Sequence, residues 1–239
     1  MQTLTCSTQS PASRRKQATS SLAVLDSSEG KCVSARSVPE AEKPCFSIIT
    51  ISYIVRLLIL RGETSIRVLD LAPPPRDLAS HPALTYAKVD ITSPPSLRAA
   101  LLAPFPSGTL PSVIFHTAAT IRFWERAGYT FDASYRVNVL GTAVVLAAAK
   151  ELLPKDAIVV YTSSADVVTP APRFLQLGRD YRLPLWNKIT IGDDDAPLSA
   201  EARPKSNYAQ SKIMAERLVF DANSPNGLRT GCLRPGQCV

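Results

Sequence analysis

The sequence predicts an α/β protein built on a parallel sheet, and three observations indicate this class. Short apolar runs rich in β-branched residues alternate with longer segments whose apolar residues follow helical spacing. Small or polar residues follow several of the short runs, as expected where parallel strands end at a ligand crevice. The composition fits a folded domain, since 45% of the 239 residues are hydrophobic and 20% are charged.

The chain divides into an N-terminal extension and one domain. Residues 1–44 contain no Phe, Trp or Tyr and are rich in Ser, Thr and basic residues, so we expect this segment to be disordered. Its first 25 residues lack acids and include Arg14-Arg15-Lys16, which leaves organelle targeting open. Residues 45–239 are predicted to form a single doubly wound domain.

The elements follow from the pattern in chain order. A strand predicted at residues 48–51 runs directly into a helix at residues 53–61, which Gly62 closes. Later apolar runs predict strands at 66–71, 84–89, 113–116, 157–162 and 228–233. Helical spacing predicts helices at 96–102, 131–152 and 206–222. The proline-containing residues 169–204 are predicted to form a long loop over the crevice.

A tyrosine and a lysine four residues apart are the main catalytic candidates. Tyr208 and Lys212 lie in the last predicted helix, at residues 206–222. At this spacing both side chains project from one helical face. A neighbouring cation favours the phenolate, so we expect Lys212 to lower the pKa of Tyr208. Taken alone, such a pair is more often part of a solvated helix face.

A serine at a strand end strengthens this assignment. The run Ile158-Val159-Val160-Tyr161-Thr162-Ser163-Ser164 is typical of a buried parallel strand that ends in hydroxyl residues. A serine at that end could hydrogen-bond a substrate oxygen beside Tyr208. Ser164 is the candidate, and Ser163 is more typical of a turn hydroxyl that satisfies backbone groups.

Carboxylates at two strand ends point to a dinucleotide. Asp70 ends the strand at 66–71, where an acid accepts hydrogen bonds from the adenosine ribose and repels a 2′-phosphate. This favours NAD over NADP. Asp90 and Ile91 follow the next strand, where they could flank an adenine. Ala118 and Ala119 follow residues 113–116 and are small enough for a dinucleotide to lie against the backbone.

The glycine-rich turn that should hold the pyrophosphate is absent from the sequence. Such a turn lies between the first strand and the first helix, where glycines allow close approach to the helix N-terminus. No glycine occurs between Gly30 and Gly62. Ser52 could cap the helix but cannot replace a whole loop.

As an ordered set these residues resemble the extended short-chain dehydrogenase/reductase superfamily, and within it the 3β-hydroxysteroid dehydrogenase branch, which includes fungal sterol-4α-carboxylate 3-dehydrogenases. The resemblance covers roughly residues 50–235. Its motifs are Arg67-Val68-Leu69-Asp70-Leu71, Val113-Ile114-Phe115-His116-Thr117-Ala118-Ala119, Tyr135-Arg136-Val137-Asn138-Val139-Leu140-Gly141-Thr142, Val160-Tyr161-Thr162-Ser163-Ser164, Tyr208-Ala209-Gln210-Ser211-Lys212 and Leu233-Arg234-Pro235.

The resemblance implies a Rossmann-like domain and a role for each candidate. Tyr208 would be the general acid/base, Lys212 would lower its pKa and hold the nicotinamide ribose, and Ser164 would orient the substrate hydroxyl. Asn138 would organise the cofactor site. Members continue beyond Leu233-Arg234-Pro235 into a small substrate-binding subdomain, most of which we expect to be missing here, as is the glycine-rich loop.

The implied reaction is NAD-dependent oxidation of a 3β-hydroxyl on a sterol or steroid, with a 4-carboxysterol as one such substrate. We expect the missing units to impair activity. Two alternatives stay open at this point. One is a sugar-nucleotide epimerase or dihydroflavonol-type reductase of the same superfamily, and the other is a non-catalytic remnant or binding module.

Other classes of function find little support in the sequence. The net charge is +7, but basic residues are scattered and no nucleic-acid-binding motif accompanies them. Five cysteines without CxxC spacing predict no metal site and a reducing compartment. No apolar stretch is long enough to span a bilayer. We expect a cytoplasmic or endoplasmic-reticulum-associated protein, and the sequence leaves peripheral membrane contact and a homodimer open.

Overall fold

The computed structural model describes residues 21–25, 46–122, 125–168 and 206–236, which form one six-stranded sheet with helices packed on both faces. The strands are β1 Ser21–Leu25, β2 Ile66–Asp70, β3 Leu84–Lys88, β4 Val113–His116, β5 Ile158–Thr162 and β6 Arg229–Leu233. The helices are α1 Phe46–Arg61, α2 Arg76–Ala79, α3 Pro94–Leu102, α4 Phe131–Ser134, α5 Thr142–Leu152 and α6 Asn207–Ala222. A π-helical segment, Tyr135–Gly141, joins α4 to α5.

The strand order is β3-β2-β1-β4-β5-β6, which is the order of a doubly wound nucleotide-binding sheet. The pairs β2–β3, β4–β5 and β5–β6 are parallel. The predicted Rossmann-like α/β class is therefore confirmed. The strand β1 differs from the expected pattern, because it pairs antiparallel with both β2 and β4.

The strand predicted at residues 48–51 is wrong, because these residues lie inside the 16-residue helix α1. No glycine or proline interrupts this apolar segment, so a helix continues through it to Arg61. The central position of the sheet is taken instead by Ser21–Leu25, which lies within the extension predicted to be disordered. The loop predicted at 169–204 lies outside the described residues.

The helix α1 ends as the sequence predicts, at Gly62. This residue has a φ of 91°, a conformation that favours glycine. The amide of Gly62 donates to the carbonyl of Ile59 at 3.0 Å, and the amide of Glu63 donates to that of Leu58 at 3.1 Å. These two bonds form a Schellman motif that satisfies the last carbonyls of the helix.

The two faces of the sheet carry separate apolar clusters. Alternation along β2 sends Ile66 and Val68 to the face covered by α1 and α2, where they meet Val55 and Leu58. The larger cluster lies on the face covered by α3, α5 and α6, and its members include Leu69, Leu97, Ile114, Val145, Val159, Tyr161 and Ala215. This second layer fixes the position of α6, the helix that carries Tyr208 and Lys212.

Candidate active site

The site forms where β5 ends and α6 begins, at the carboxyl edge of the parallel strands. Ser206 caps α6, and its hydroxyl accepts a hydrogen bond from the amide of Ala209 at 3.1 Å. Tyr208 and Lys212 follow in the first two turns, and both are almost fully buried. Ser163 and Ser164 follow β5, and Ser164 caps the short 3₁₀ turn Ala165–Val167.

Ser164 and Tyr208 are brought into hydrogen-bond contact through their side chains. The Ser164 hydroxyl also accepts a hydrogen bond from the amide of Asp166 at 3.2 Å, which fixes its position. The neighbouring Ser163 hydroxyl is buried and has no hydrogen-bond partner within the described residues. The geometry thus pairs Tyr208 with Ser164, the serine that the sequence favours.

Lys212 lies behind the tyrosine, between α6 and β5. Its ammonium Nζ donates to the carbonyl of Thr162 at 2.7 Å. The same nitrogen lies 4.6 Å from the ring centroid of Tyr161 and 5.9 Å from that of Tyr208. A strand-end carbonyl and two aromatic rings therefore surround the cation.

Burial governs the protonation of the pair. Desolvation raises the pKa of Tyr208 to about 12, the hydrogen bond from Ser164 partly offsets this rise, and Asp166 adds to it. Desolvation likewise lowers the pKa of Lys212 to about 7, against the attraction of Glu216 and Cys232. The expectation that Lys212 lowers the pKa of Tyr208 is wrong for this structure, because burial is the larger effect and leaves Lys212 only partly charged near neutral pH.

Asn138, from the π-helical segment, ties three parts of the site together. Its side-chain amide donates to the carbonyl of Thr120 at 3.0 Å and to the hydroxyl of Ser211 at 2.8 Å. Its side-chain oxygen accepts from the amide of Thr120 at 2.7 Å. Ser211 in turn donates to the carbonyl of Tyr208 at 2.7 Å. Asn138 therefore acts here as a positioning residue, with both side-chain N–H groups bonded to the protein.

An open cleft of about 550 Å³ lies at the ends of β2, β3 and β4. Asp90 and Ile91 line it together with Thr120, Arg122, Glu125 and Arg136. The Asp90 carboxylate accepts from the amide of Thr92 at 2.8 Å and from its hydroxyl at 2.7 Å. The site residues predicted at the end of β3 thus line this crevice, whereas Ala118 and Ala119, predicted at the end of β4, are buried and do not line it.

Asp70 is buried at the end of β2 but lines a different, very small pocket with Ser52 and Val55. One of its carboxylate oxygens accepts from the amide of Ala72 at 3.1 Å. The carboxylate therefore caps the turn after β2, which is the ordinary structural role of a strand-end Asp.

The described residues include candidates to hold the adenosine and the nicotinamide of a dinucleotide, but no turn that would hold its pyrophosphate. Acids stand at the ends of β2 and β3, and the Tyr208–Lys212 pair stands at the end of β5. A pyrophosphate needs the turn from the first strand into the first helix at this edge. In this sheet the carboxyl end of β1, Leu25, pairs with Ile66 and Val113 at the opposite edge, so the described chain supplies no such turn.

Sequence reasoning missed Asn207, which helps to hold the site together. Asn207 donates from its side chain to the carbonyl of Ala127 at 3.0 Å and to the hydroxyl of Thr130 at 2.8 Å. Its amide donates to the carbonyl of Glu125 at 2.9 Å, so it fastens one wall of the cleft to α6. The signal that could have found Asn207 is its position next to Tyr208 in the first turn of a helix.

Within the described ranges, no group of His, Cys, Asp and Glu side chains could hold a metal ion. In the same ranges, no helix has the length and apolar character needed to cross a bilayer.

A doubly wound sheet that places Ser164, Tyr208 and Lys212 at one strand edge defines the extended short-chain dehydrogenase/reductase class. Comparison with known sequences narrows this class. The chain belongs to the 3-beta hydroxysteroid dehydrogenase/isomerase family, whose family model matches residues 51–238.

Curated relatives support the same family. A 3 beta-hydroxysteroid dehydrogenase/Delta 5-->4-isomerase of Monkeypox virus is 33% identical over 190 residues, which are 77% of this chain and 47% of the relative. A 3-beta-hydroxysteroid dehydrogenase of Mycolicibacterium neoaurum is 31% identical over 185 residues, with 76% and 43% covered. The chain thus spans about half the length of the curated relatives it matches.

Solved structures share the fold. MoeE5 in complex with UDP-glucuronic acid and NAD is 26% identical, with a TM-score of 0.54 over 77% of this chain and 50% of that protein. A Thermus thermophilus UDP-glucose 4-epimerase in complex with NAD reaches a TM-score of 0.55 at 22% identity, with the same coverage.

Proposed function

We propose that this chain carries the proton-transfer site of an NAD-dependent dehydrogenase that oxidises a 3β-hydroxyl group of a sterol or steroid. The observation that carries the proposal is the Ser164–Tyr208 hydrogen bond, with Lys212 buried behind the tyrosine. Membership in the 3-beta hydroxysteroid dehydrogenase/isomerase family supports the substrate class.

The side chains divide the work of the reaction. Ser164 hydrogen-bonds the substrate oxygen, and the phenolate form of Tyr208 takes up the hydroxyl proton as the carbinol carbon becomes a ketone. Because burial raises the pKa of Tyr208 to about 12, this form is scarce near neutral pH and the rate should rise with pH. Lys212 holds the tyrosine side of the site through its bond to the carbonyl of Thr162. A bound nicotinamide would supply the hydride acceptor for this chemistry.

The cofactor that we propose is NAD. The NAD complexes of MoeE5 and of the epimerase support this choice. Because the described chain lacks a pyrophosphate turn, we propose that NAD binds weakly and that activity is correspondingly impaired. Titration with NADH, followed by the fluorescence of the nicotinamide, tests this point, and saturation at low micromolar NADH would contradict it.

Activity is tested by incubating the chain with NAD and a 3β-hydroxysteroid and measuring formation of NADH and of the 3-ketone. We expect Tyr208→Phe to lower the rate by at least about 100-fold, because the proton acceptor is removed. Tyr53→Phe is the matched control, since Tyr53 lies on the exposed side of α1 and should leave the rate unchanged. Equal rates for Tyr208→Phe and the parent chain would overturn the assignment.

Within this class we propose a 4-carboxysterol as a substrate. Oxidation at carbon 3 would convert it to a β-keto acid, which loses carbon dioxide as its carbon–carboxylate bond breaks. Release of one carbon dioxide for each NADH formed is the expected result. NADH formation with a sterol that lacks the 4-carboxylate, but not with the 4-carboxysterol, would exclude this part of the proposal.

A sugar-nucleotide substrate is the second candidate, and two arginines in the cleft favour it. Arg122 and Arg136 both line the cleft, and a pair of arginines suits a diphosphate. Arg122 is paired with Glu125 at 2.7 Å, so a diphosphate would have to compete with this carboxylate. MoeE5, the solved structure at 26% identity, carries a UDP-sugar acid. UDP-glucose in place of the steroid in the same assay separates the two candidates.

A further inference from the structure

The last residue of β6 and the residues after it bond directly to the backbone on both sides of Ser164. The amide of Ser163 donates to the carbonyl of Leu233 at 2.7 Å, and the amide of Ala165 donates to the carbonyl of Pro235 at 3.0 Å. These bonds extend the β5–β6 pairing past the strand ends. The position of Ser164 therefore depends on the Leu233-Arg234-Pro235 segment.

The side chain of the middle residue of this segment reaches the catalytic helix. The guanidinium of Arg234 donates from Nε to Oε1 of Glu216 at 2.9 Å and from Nη2 to Oε2 at 2.9 Å. Both side chains are largely buried, with 14% of Arg234 and 7% of Glu216 exposed. Such a two-pronged pair is strongly directional, and it fixes α6 one turn beyond Lys212.

We propose that Arg234 and Glu216 are positioning residues of the proton-transfer site, which hold α6 against the serine segment and set the charge balance beside Lys212. The inference rests on the proposed function only in naming Tyr208 and Lys212 as the working pair. Since one short segment contacts both the Ser164 backbone and Glu216, it couples the two halves of the site.

The charge argument follows from what faces Lys212. The titratable and charged groups around it come from β4, β5, β6 and α6, and are His116, Tyr161, Cys232, Tyr208 and Glu216. Glu216 is the carboxylate among them, and it works against the desolvation that lowers the pKa of Lys212 to about 7. Arg234 shares that carboxylate, so it weakens the support that Glu216 gives to Lys212.

Two substitutions should therefore shift the pKa of Lys212 in opposite directions. Glu216→Gln removes the carboxylate, and we expect Lys212 to titrate about one pH unit lower. Arg234→Gln leaves the carboxylate to Lys212 alone, so we expect titration at higher pH than in the parent chain. If the Arg234–Glu216 pair had a purely structural role, the two substitutions would shift the pKa of Lys212 in the same direction or leave it unchanged.

The measurement is the pH dependence of the lysine side-chain carbon shifts in the full chain labelled at lysine, with the Lys212 signal identified by its loss in Lys212→Met. It needs neither cofactor nor activity, so its outcome is independent of whether the chain oxidises a steroid. Arg98→Gln and Glu151→Gln are the matched controls, because this pair joins exposed side chains of α3 and α5. We expect neither control substitution to change the pH at which Lys212 titrates.

A double variant keeps the test decisive if Arg234→Gln does not fold. Glu216→Gln with Arg234→Gln removes both buried charges together, which is less disruptive than leaving one unpaired. In this variant Lys212 should titrate above its value in Glu216→Gln and below its value in the parent chain. Identical titration of Lys212 in the parent chain, Glu216→Gln and the double variant would overturn the inference.

Discussion

Burial shifts three neighbouring titratable side chains at the site toward their neutral forms. Burial raises the pKa of Tyr208 to about 12, lowers that of Lys212 to about 7 and lowers that of His116 to about 3. The Thr142 hydroxyl donates to the carbonyl of Asn138 at 2.7 Å, so the His116 ring must donate from Nε2 to that hydroxyl at 2.9 Å. The motif predicts which residues meet, but depth of burial decides their charge, and depth is a property of the packed layers.

Lys212 should make the stability of the fold depend on pH. Its pKa in the folded chain is about 7, against 10.5 for an ordinary lysine, so the unfolded chain binds an extra proton between these values. The free energy of unfolding should therefore rise as pH increases from about 7 to 10.5, by up to about 5 kcal/mol from this group. The measurement is urea unfolding of the parent chain and of Lys212→Met across this range. The slope should be smaller in Lys212→Met, and equal slopes would show that Lys212 is not buried as described.

The helix α3 ends on a buried arginine from the neighbouring strand. The guanidinium of Arg67 donates to the carbonyls of Ala100 at 2.9 Å, Ala103 at 2.6 Å and Pro104 at 3.0 Å. It also lies 4.5 Å from the centroid of the Phe105 ring. A cation at the C-terminus of a helix is favoured by the partial negative charge there. The strand pattern predicts that Arg67 lies between two core positions of β2. It does not predict that the guanidinium caps the C-terminal end of α3.

Arg67→Met should therefore destabilise the fold although it replaces a charge with an apolar chain. The carbonyls at the end of α3 would lose a charged donor while they stay buried, so we expect a loss of about 2–3 kcal/mol in the free energy of unfolding. Urea unfolding measures this loss. Arg98→Met, on an exposed arginine of α3, is the control and should have a much smaller effect. A loss in Arg67→Met no larger than in the control would contradict the capping role.

The π-helical segment brings the helix unusually close to the end of β3. A Cβ added at Gly141 would lie 2.6 Å from Cδ1 of the fully buried Ile91. The glycine in the motif Asn138-Val139-Leu140-Gly141-Thr142 is thus explained by packing against a residue that lines the cleft. A sequence without known contacts cannot predict this approach, because it depends on the change of pitch in the π-helical turn.

Gly141→Ala should destabilise the fold by about 1–3 kcal/mol, since a methyl group is forced into a filled space. Combining it with Ile91→Val removes the contacting Cδ1 atom, and the double variant should recover part of the loss. Thermal unfolding of the two single variants and the double variant measures this coupling. Strictly additive losses would show that the two residues do not share the space.

The sequence predicts the doubly wound class because short strand-like segments, including the apolar runs of β4 and β5, alternate with helical segments. The prediction was wrong for the first strand, because it relied on the local residue pattern. Residues 48–51 are β-branched but belong to a long apolar segment without a break, so they join α1. Ser21–Leu25 lies between polar stretches that cannot form a core, yet it is short and apolar enough to fill the gap between β2 and β4. Because its direction is reversed, the carboxyl end of β1 lies at the sheet edge opposite the crevice.

The strand β1 should then be essential to the whole sheet. It pairs with β2 from Ser21 to Leu25 and with β4 from Leu22 to Leu25, so without it the sheet would divide into a two-stranded and a three-stranded part. Each part would expose an edge of unpaired backbone groups, which is costly and favours aggregation. We expect deletion of residues 1–25 to abolish cooperative unfolding, while deletion of residues 1–20 should preserve it. Circular dichroism melts compare the two deletions, and hydrogen exchange of the Ala23 and Val24 amides in the parent chain should show protection. A cooperative melt after deletion of residues 1–25 would mean that β2 and β4 pair without β1, and the central position would then be open to a different strand.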